Sequence, residues 1–183
     1  MKLTAIFSPT AADAVVWPDS VMVRSGKPVF LPSEETPYYI HRTLGVRISR
    51  IGKSVEERFA CRYYDSLLPA AIILPGDASD AIEEGKSPLA ADIMFDGCIV
   101  IGDAVPVTEG KRAEIDRCIS AASDKMMLKI GDIVFMLMPG ARVKAQIDSR
   151  YEYSLSDIPG HECIGDALSC DDIQNTFVKL KIK

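Results

Sequence analysis

Apolar and polar positions along this chain fall mostly into short runs with the period of strands. Leu3 to Phe7 reads as a strand, and Val21–Arg24 and Pro28–Leu31 read as two more around Ser25-Gly26-Lys27, a hairpin turn by its composition. Leu44–Ile51, Ala70–Leu74, Cys98–Ile101 and Ile133–Met138 are apolar enough to be buried strands. Arg142–Ile147 and Phe177–Ile182 alternate apolar with polar residues, as half-exposed strands do. Two segments have helical spacing instead. Ser54 with Glu57 three residues later predicts a capping box, and Val55, Phe59, Tyr63 and Leu67 then share a face until Pro69 ends the element. Ile115, Cys118, Ile119 and Ala122 mark an amphipathic helix over about Lys111–Ala122. Gly76–Pro88 is polar and predicts a solvated loop with a turn of helix around Ala81.

Many short strands with two main helices predict an α+β fold built on a mixed β-sheet. The triplet Ile-Gly-Asp recurs at Ile101, Ile130 and Ile164, but with unequal spacing and dissimilar flanks, so it is turn chemistry and not a repeat architecture. With 183 residues and no linker-like stretch, the chain is expected to form a single domain over 1–183.

Composition narrows the classes. At 48% hydrophobic residues the chain can bury a sizeable core, yet no apolar run reaches the roughly 18–20 residues that span a bilayer. The N-terminus is too weakly apolar for a signal peptide, so a cytoplasmic location and no membrane partner are expected. The net charge of −5 is spread over a mixed surface, which argues against nucleic acid as a partner. Lys179, Lys181 and Lys183 alternate with Leu180 and Ile182 and read as the outward face of an edge strand.

Five cysteines without a CxxC spacing argue against a disulfide framework or a structural zinc site. Cys98 and Cys118 are expected to be core thiols. Cys163 and Cys170 lie near His161, but only acids are at hand to complete a metal site. Phosphate-binding glycine loops, HExxH and GxSxG are absent, and the sequence places neither His41 nor His161 beside a nucleophile.

One longer pattern stands out. Val46–Asp65 reads VRISRIGKSVEERFACRYYD. Upstream lie Pro18-Asp19-Ser20 and Gly26-Lys27-Pro28-Val29-Phe30-Leu31-Pro32. Downstream come Phe95-Asp96-Gly97 to Val105-Pro106, and then Leu128-Lys129-Ile130-Gly131-Asp132-Ile133-Val134-Phe135 with Pro139. In this order, over about Asp19–Pro139, the passages resemble the fumarylacetoacetate hydrolase family. The resemblance implies the mixed β-sheet roll of that family's C-terminal domain and a homodimer. It also implies hydrolysis, decarboxylation or isomerisation of small 2-oxo or 1,3-diketo acids, with a divalent cation, usually Mg²⁺, chelating the substrate oxygens and stabilising the enolate.

That cation needs oxygen ligands, preferably carboxylates. The family supplies them as a Glu-x-Glu pair before the VRI passage and an Asp after RYYD. Aligned here, those positions are His41, Thr43 and Ile72. The family's Lys before FDG falls at Ile93, and its TGTP segment reads Met136-Leu137-Met138-Pro139. The resemblance therefore implies a preserved framework whose catalytic positions have turned apolar. No catalytic residue is assigned, no metal is expected and no cofactor is expected. His41, Thr43, Asp77, Met136 and Met138 are the candidates to line a pocket for a small-molecule ligand. The expected function is a catalytically degenerate homologue that binds a ligand or assembles with other chains. The alternative is an enzyme with a rebuilt site, drawing acid–base groups from His41, Asp77, Asp80, Glu83, Glu84 and Lys86.

Overall fold

The structure, a computed structural model, describes residues 1–7, 13–86, 93–107, 110–140, 142–159, 162, 164 and 168–183. Its frame is a pair of long antiparallel strands, β5 (Tyr38–Ile48) and β6 (Tyr64–Pro75), in register from Tyr38↔Pro75 to Arg47↔Ser66. Around them run β1 (Lys2–Phe7), β2 (Ala14–Pro18), β3 (Met22–Arg24), β7 (Ile99–Ile101) and β9 (Ile133–Leu137), giving the order β2-β1-β9-β5-β6-β7-β3. The sheet is mixed: β1 pairs β9 and β3 pairs β7 in parallel, whereas its other ladders are antiparallel. β10 (Arg142–Lys144) takes over beside β5 beyond the β9 ladder, and β8 (Val105–Pro106) takes over beside β6 beyond β7. A three-stranded sheet holds β11 (Arg150–Ser154), β12 (Phe177–Ile182) and β4 (Pro28–Val29). Four α-helices complete the described residues: α1 (Glu57–Ala60), α2 (Gly76–Glu83), α3 (Ala113–Lys125) and α4 (Cys170–Asn175). None is long and apolar enough to cross a membrane.

Alternation along β5 and β6 sorts side chains onto two faces. On one face Leu44, Val46, Ile48 and Leu67 pack with Ile115, Cys118 and Ile119 of α3. Further along the same face Ile40, Ala71 and Ile73 pack with Val178, Leu180 and Ile182 of the small sheet. The opposite face carries Leu68, Ala70, Ile72 and Leu74, which join Trp17, Phe135, Ile93 and the α2 residues Ala78 and Ile82. Cys98 and Cys118 are core thiols as expected, and burial pushes the Cys98 thiol up to about 11.

Several expectations are corrected. The helix expected from Ser54 to Leu67 shrinks to the four residues of α1, and no capping box forms. Glu56 is its N-cap without a side-chain bond, Ser54 has φ +50°, and the Val55 N–H goes to Ser123 Oγ at 2.8 Å. The aromatic and aliphatic run from Tyr64 is drawn into β6, where pairing with the whole of β5 outweighs helical spacing. Pro69 does not end an element; it lies inside β6. Its carbonyl accepts from Gly102 N on the β7/β8 edge, so its missing N–H falls between the Leu67↔Val105 and Ala70↔Ile101 pairs, where no ladder bond is required.

Ser25-Gly26-Lys27 makes no hairpin. It carries the chain from β3 in the large sheet to β4 in the small one, with Ser25 N donating to Ile101 O and Gly26 N to Lys179 O. β12 is the central strand of its sheet, not an edge, although Lys179 does point outward. β2, which includes the buried Trp17, was not anticipated. Gly76–Glu83 is a full helix, so the second main helix is α2 and not the segment after Ser54.

Candidate functional site

His41 and Thr43 are two residues apart on β5, so their side chains share the face that α2 covers. Ile72 is the cross-strand partner of His41, and Ala70 that of Thr43. Ile93 joins Ile72 in the same apolar cluster. The fold thus assembles the four positions that the family pattern assigns to two Glu, an Asp and a Lys. All four are 0% exposed. Met136 is not among them: its side chain packs on the opposite face with Leu44 and Val46. It reaches this face only through its carbonyl, which accepts the Thr43 hydroxyl at 2.7 Å. Met138 lies just past β9 and is half-buried.

The polar atoms here are mostly committed. His41 Nε2 is 2.8 Å from Ser79 Oγ on α2, and Ser79 is also 0% exposed. Arg142, the cross-strand neighbour of His41 on β10, donates to Ser79 Oγ at 3.1 Å and to the Asp80 carboxylate. Ser79 Oγ thus lies between the Arg142 guanidinium and His41 Nε2, and which atom donates in the His41 contact depends on the imidazole tautomer. Burial, reinforced by the Arg142 charge, lowers the His41 pKa to about 4. Nδ1 has no hydrogen-bond partner among the described residues.

The other candidates do different work. Asp77 is exposed, and its carboxylate accepts from the Ala78 N–H at the start of α2. Glu83 accepts from Gly140 N, which ties α2 to the turn before β10. Glu84 and Lys86 pair with each other in solvent. Of the acid–base groups considered for a rebuilt site, only Asp80 is linked to His41, through Arg142 and Ser79. Ser79 itself was not anticipated: it is 38 residues from His41 inside an acidic run, and only the helix brings the two together. His161 and Cys163 lie outside the described residues, as does the Cys170 side chain.

These residues do not fit a hard divalent cation. Such an ion needs several oxygen donors, preferably charged. Here it would meet a neutral imidazole bound to a serine, a hydroxyl already donating to a backbone carbonyl, and an isoleucine. Among the described residues, no three His, Cys, Asp or Glu side chains come together as a metal site.

No protein-family model matches the chain, and no curated protein matches it in sequence. Solved structures do match in shape. A Yersinia pestis CO92 protein assigned to the fumarylacetoacetate hydrolase family superposes with a TM-score of 0.72 at 17% identity, covering 100% of this chain and 92% of that one. A 5-carboxymethyl-2-hydroxymuconate delta-isomerase from Mycobacterium smegmatis gives 0.72 at 15% identity, covering 99% of this chain and 78% of its own. Fumarylpyruvate hydrolase from Pseudomonas aeruginosa, solved with Mn²⁺ and pyruvate, gives 0.68 at 14% identity, with 99% and 88% covered.

Proposed function

We propose that this chain, which has the fold of the fumarylacetoacetate hydrolase family, is a catalytically degenerate homologue that works by assembly or ligand binding, without metal-dependent hydrolase chemistry. One observation carries the reading. The four positions where the family pattern calls for metal ligands and a lysine are His41, Thr43, Ile72 and Ile93, grouped on one face and sealed from solvent. The Pseudomonas aeruginosa neighbour holds Mn²⁺ and pyruvate. An ion of that kind at this place would have to displace two satisfied hydrogen bonds and still lack a charged ligand. Filling by Ile72 and Ile93 also leaves a small acid little room there, which favours assembly, as a homodimer or with an active relative, over ligand binding at the old centre.

Calorimetry on the purified protein tests this reading. Neither Mg²⁺ nor Mn²⁺ is expected to show a stoichiometric site, and oxaloacetate and acylpyruvates are expected to remain unchanged. A micromolar Mg²⁺ site of unit stoichiometry overturns the reading, as does turnover that is lost on His41→Ala. Light scattering is expected to give the mass of a dimer.

The 2.8 Å contact between His41 and Ser79 supports one rival, a rebuilt site with serine as nucleophile and histidine as base. Against it stand the complete burial of both residues and, among the described residues, the lack of a partner to orient His41 Nδ1. Covalent labelling of Ser79 by a fluorophosphonate would favour the rival.

A further inference from the structure

Beyond the Ile48 end of β5, the surface carries large apolar side chains among basic ones. Ile51 is 63% exposed, Phe59 38%, Met127 50% and Ile130 68%. A pair of bonds between Gly52 and Leu128 and a third from Gly131 N to Ile48 O hold the two loops side by side. Scattered apolar residues on a surface need no explanation, but Ile51 and Met127 adjoin the bonded residues Gly52 and Leu128, and Ile51 shares a cleft with Phe59. Between the loops and α1, the residues Arg50, Ile51, Phe59, Arg62 and Tyr63 line a cleft of about 330 Å³.

The cleft is built rather than incidental. The guanidiniums of Arg58 and Arg62 lie over the Phe59 ring, 4.6 and 5.4 Å from its centroid, and hold it in place at the surface. Gly52 lets the Tyr63 ring lie against the backbone, since a Cβ there would come within 2.6 Å of Tyr63 Cε1. The local charge is net positive: from Arg50 to Arg62 the sequence has Arg50, Lys53, Arg58 and Arg62 against Glu56 and Glu57, on a chain of net charge −5. Glu56 is already paired with Arg58 at 2.8 Å.

We propose that this cleft docks an acidic peptide segment of another protein. An apolar side chain of the segment enters between Ile51, Phe59 and Tyr63, and carboxylates on either side of it meet Arg50 and Arg62. Arginine and aromatic residues around an apolar cleft are the usual composition of an interface anchor point. A membrane surface fits less well, because the apolar and basic side chains line a cleft and not a flat face. A nucleic acid fits less well too, because a base could stack on Phe59 only by displacing a guanidinium already over the ring. The cleft is roughly 30 Å from His41 along the strand, so this inference stands apart from the state of the centre.

The test is a titration of the ¹⁵N-labelled full chain with the peptide acetyl-Glu-Glu-Leu-Glu-Glu-amide, with acetyl-Lys-Lys-Leu-Lys-Lys-amide alongside. The acidic peptide is expected to shift the amides of Ile51, Phe59, Arg62 and Met127, and the basic one to leave them in place. The double change Arg50→Glu with Arg62→Glu is expected to weaken binding by about tenfold or more, and binding to fall with added salt. Ile51→Ala is expected to weaken it several-fold, and unchanged amide shifts elsewhere verify that the variants fold. The proposal fails if the acidic peptide shifts nothing at millimolar concentration, shifts another surface, or binds the charge-reversed chain equally well. It also fails if phosphatidylserine vesicles or an oligo-dT strand bind in its place with the same sensitivity to charge reversal. Self-association without peptide that Arg62→Glu abolishes would assign the cleft to a second copy and overturn it as well.

Discussion

His41 Nε2 lies 2.8 Å from Ser79 Oγ, and this contact joins the central strand β5 to helix α2 inside the sealed face of the sheet. Burial, with the Arg142 charge adding to it, keeps the imidazole neutral. In the unfolded chain His41 titrates near 6.5, whereas in the fold burial and the Arg142 charge hold it at about 4. Above pH 6.5 the ring is neutral in both states and its contribution does not vary. Between 6.5 and about 4 the unfolded chain takes up a proton that the folded chain refuses, so stability falls as the solution is acidified. The loss reaches up to about 3 kcal/mol by the time the folded ring titrates. Urea midpoints measured from pH 7.5 to 4.5 are expected to fall with acid in the native chain. In His41→Leu the part of that fall due to this ring is expected to vanish. Equal slopes in the two proteins would mean that His41 is not the group responsible.

Ile72 faces His41 across β5 and β6, in the middle of an apolar cluster with no solvent contact. An aspartate there restores one family carboxylate on paper and buries an unpaired charge in fact. Ile72→Asp is expected to cost about 3–5 kcal/mol, lowering the melting temperature by 10 °C or more. Adding millimolar Mg²⁺ is expected to recover little of it, because Thr43 and His41 keep their present partners. Full thermal rescue by Mg²⁺ would show that a cation site lies latent in this face.

That His41 and Thr43 share one face was legible in the sequence from period-two alternation, whereas Ile72 and Ile93 were set beside them only by the family resemblance. The strand at Ile133, the helix at Ile115 and the burial of Cys98 and Cys118 were legible for the same local reasons. What was not legible depends on partners distant in sequence. Val55, Phe59, Tyr63 and Leu67 have helical spacing, yet Tyr64 onward pairs with β5 and the helix stops at Ala60. Ser25-Gly26-Lys27 has hairpin composition, but its flanking strands find parallel partners in two different sheets. Nothing local in Gly76–Glu83 marks Ser79 as the residue that reaches His41; its buried side chain follows from helix phase and packing together.

Glycines at two bends separate clash from strain. At Gly102 a Cβ would stand 2.6 Å from the Phe177 carbonyl oxygen and 2.8 Å from Pro69 Cγ, where the two sheets meet. A backbone oxygen cannot swing aside as a side chain can. At Gly131 φ is +87° with nothing within 4 Å of a Cβ, so only the left-handed backbone opposes a side chain. Gly102→Ala is therefore expected to cost about 2–3 kcal/mol, and Gly131→Ala about 1 kcal/mol. Chemical denaturation of the two variants checks the order; a larger loss at Gly131 would contradict the packing of β12 against Gly102.

On the other face, Tyr64, Arg112 and Asp116 form a buried polar network at the start of α3. Asp116 accepts from Tyr64 OH at 3.2 Å and from Arg112 N at 3.0 Å, and Arg112 Nη1 reaches Tyr64 OH at 3.3 Å. Burial pushes the Tyr64 phenol up to about 12 and raises the Asp116 carboxyl despite the neighbouring guanidinium. The network is thus a desolvated set whose parts depend on one another, and removing one member should cost more than its own bonds. Asp116→Ala takes the carboxylate from beside Arg112, which is only 9% exposed, and is expected to cost about 3 kcal/mol or more. Arg112→Met leaves Asp116 in the converse position and should cost a similar amount. In the double variant Asp116→Leu with Arg112→Met both charges are gone and their volume is kept. Its loss should fall short of the sum of the single losses by about 1–3 kcal/mol, measured as a double-mutant cycle by urea denaturation. Strict additivity would mean that the carboxylate and the guanidinium are each held by their backbone contacts and not by one another.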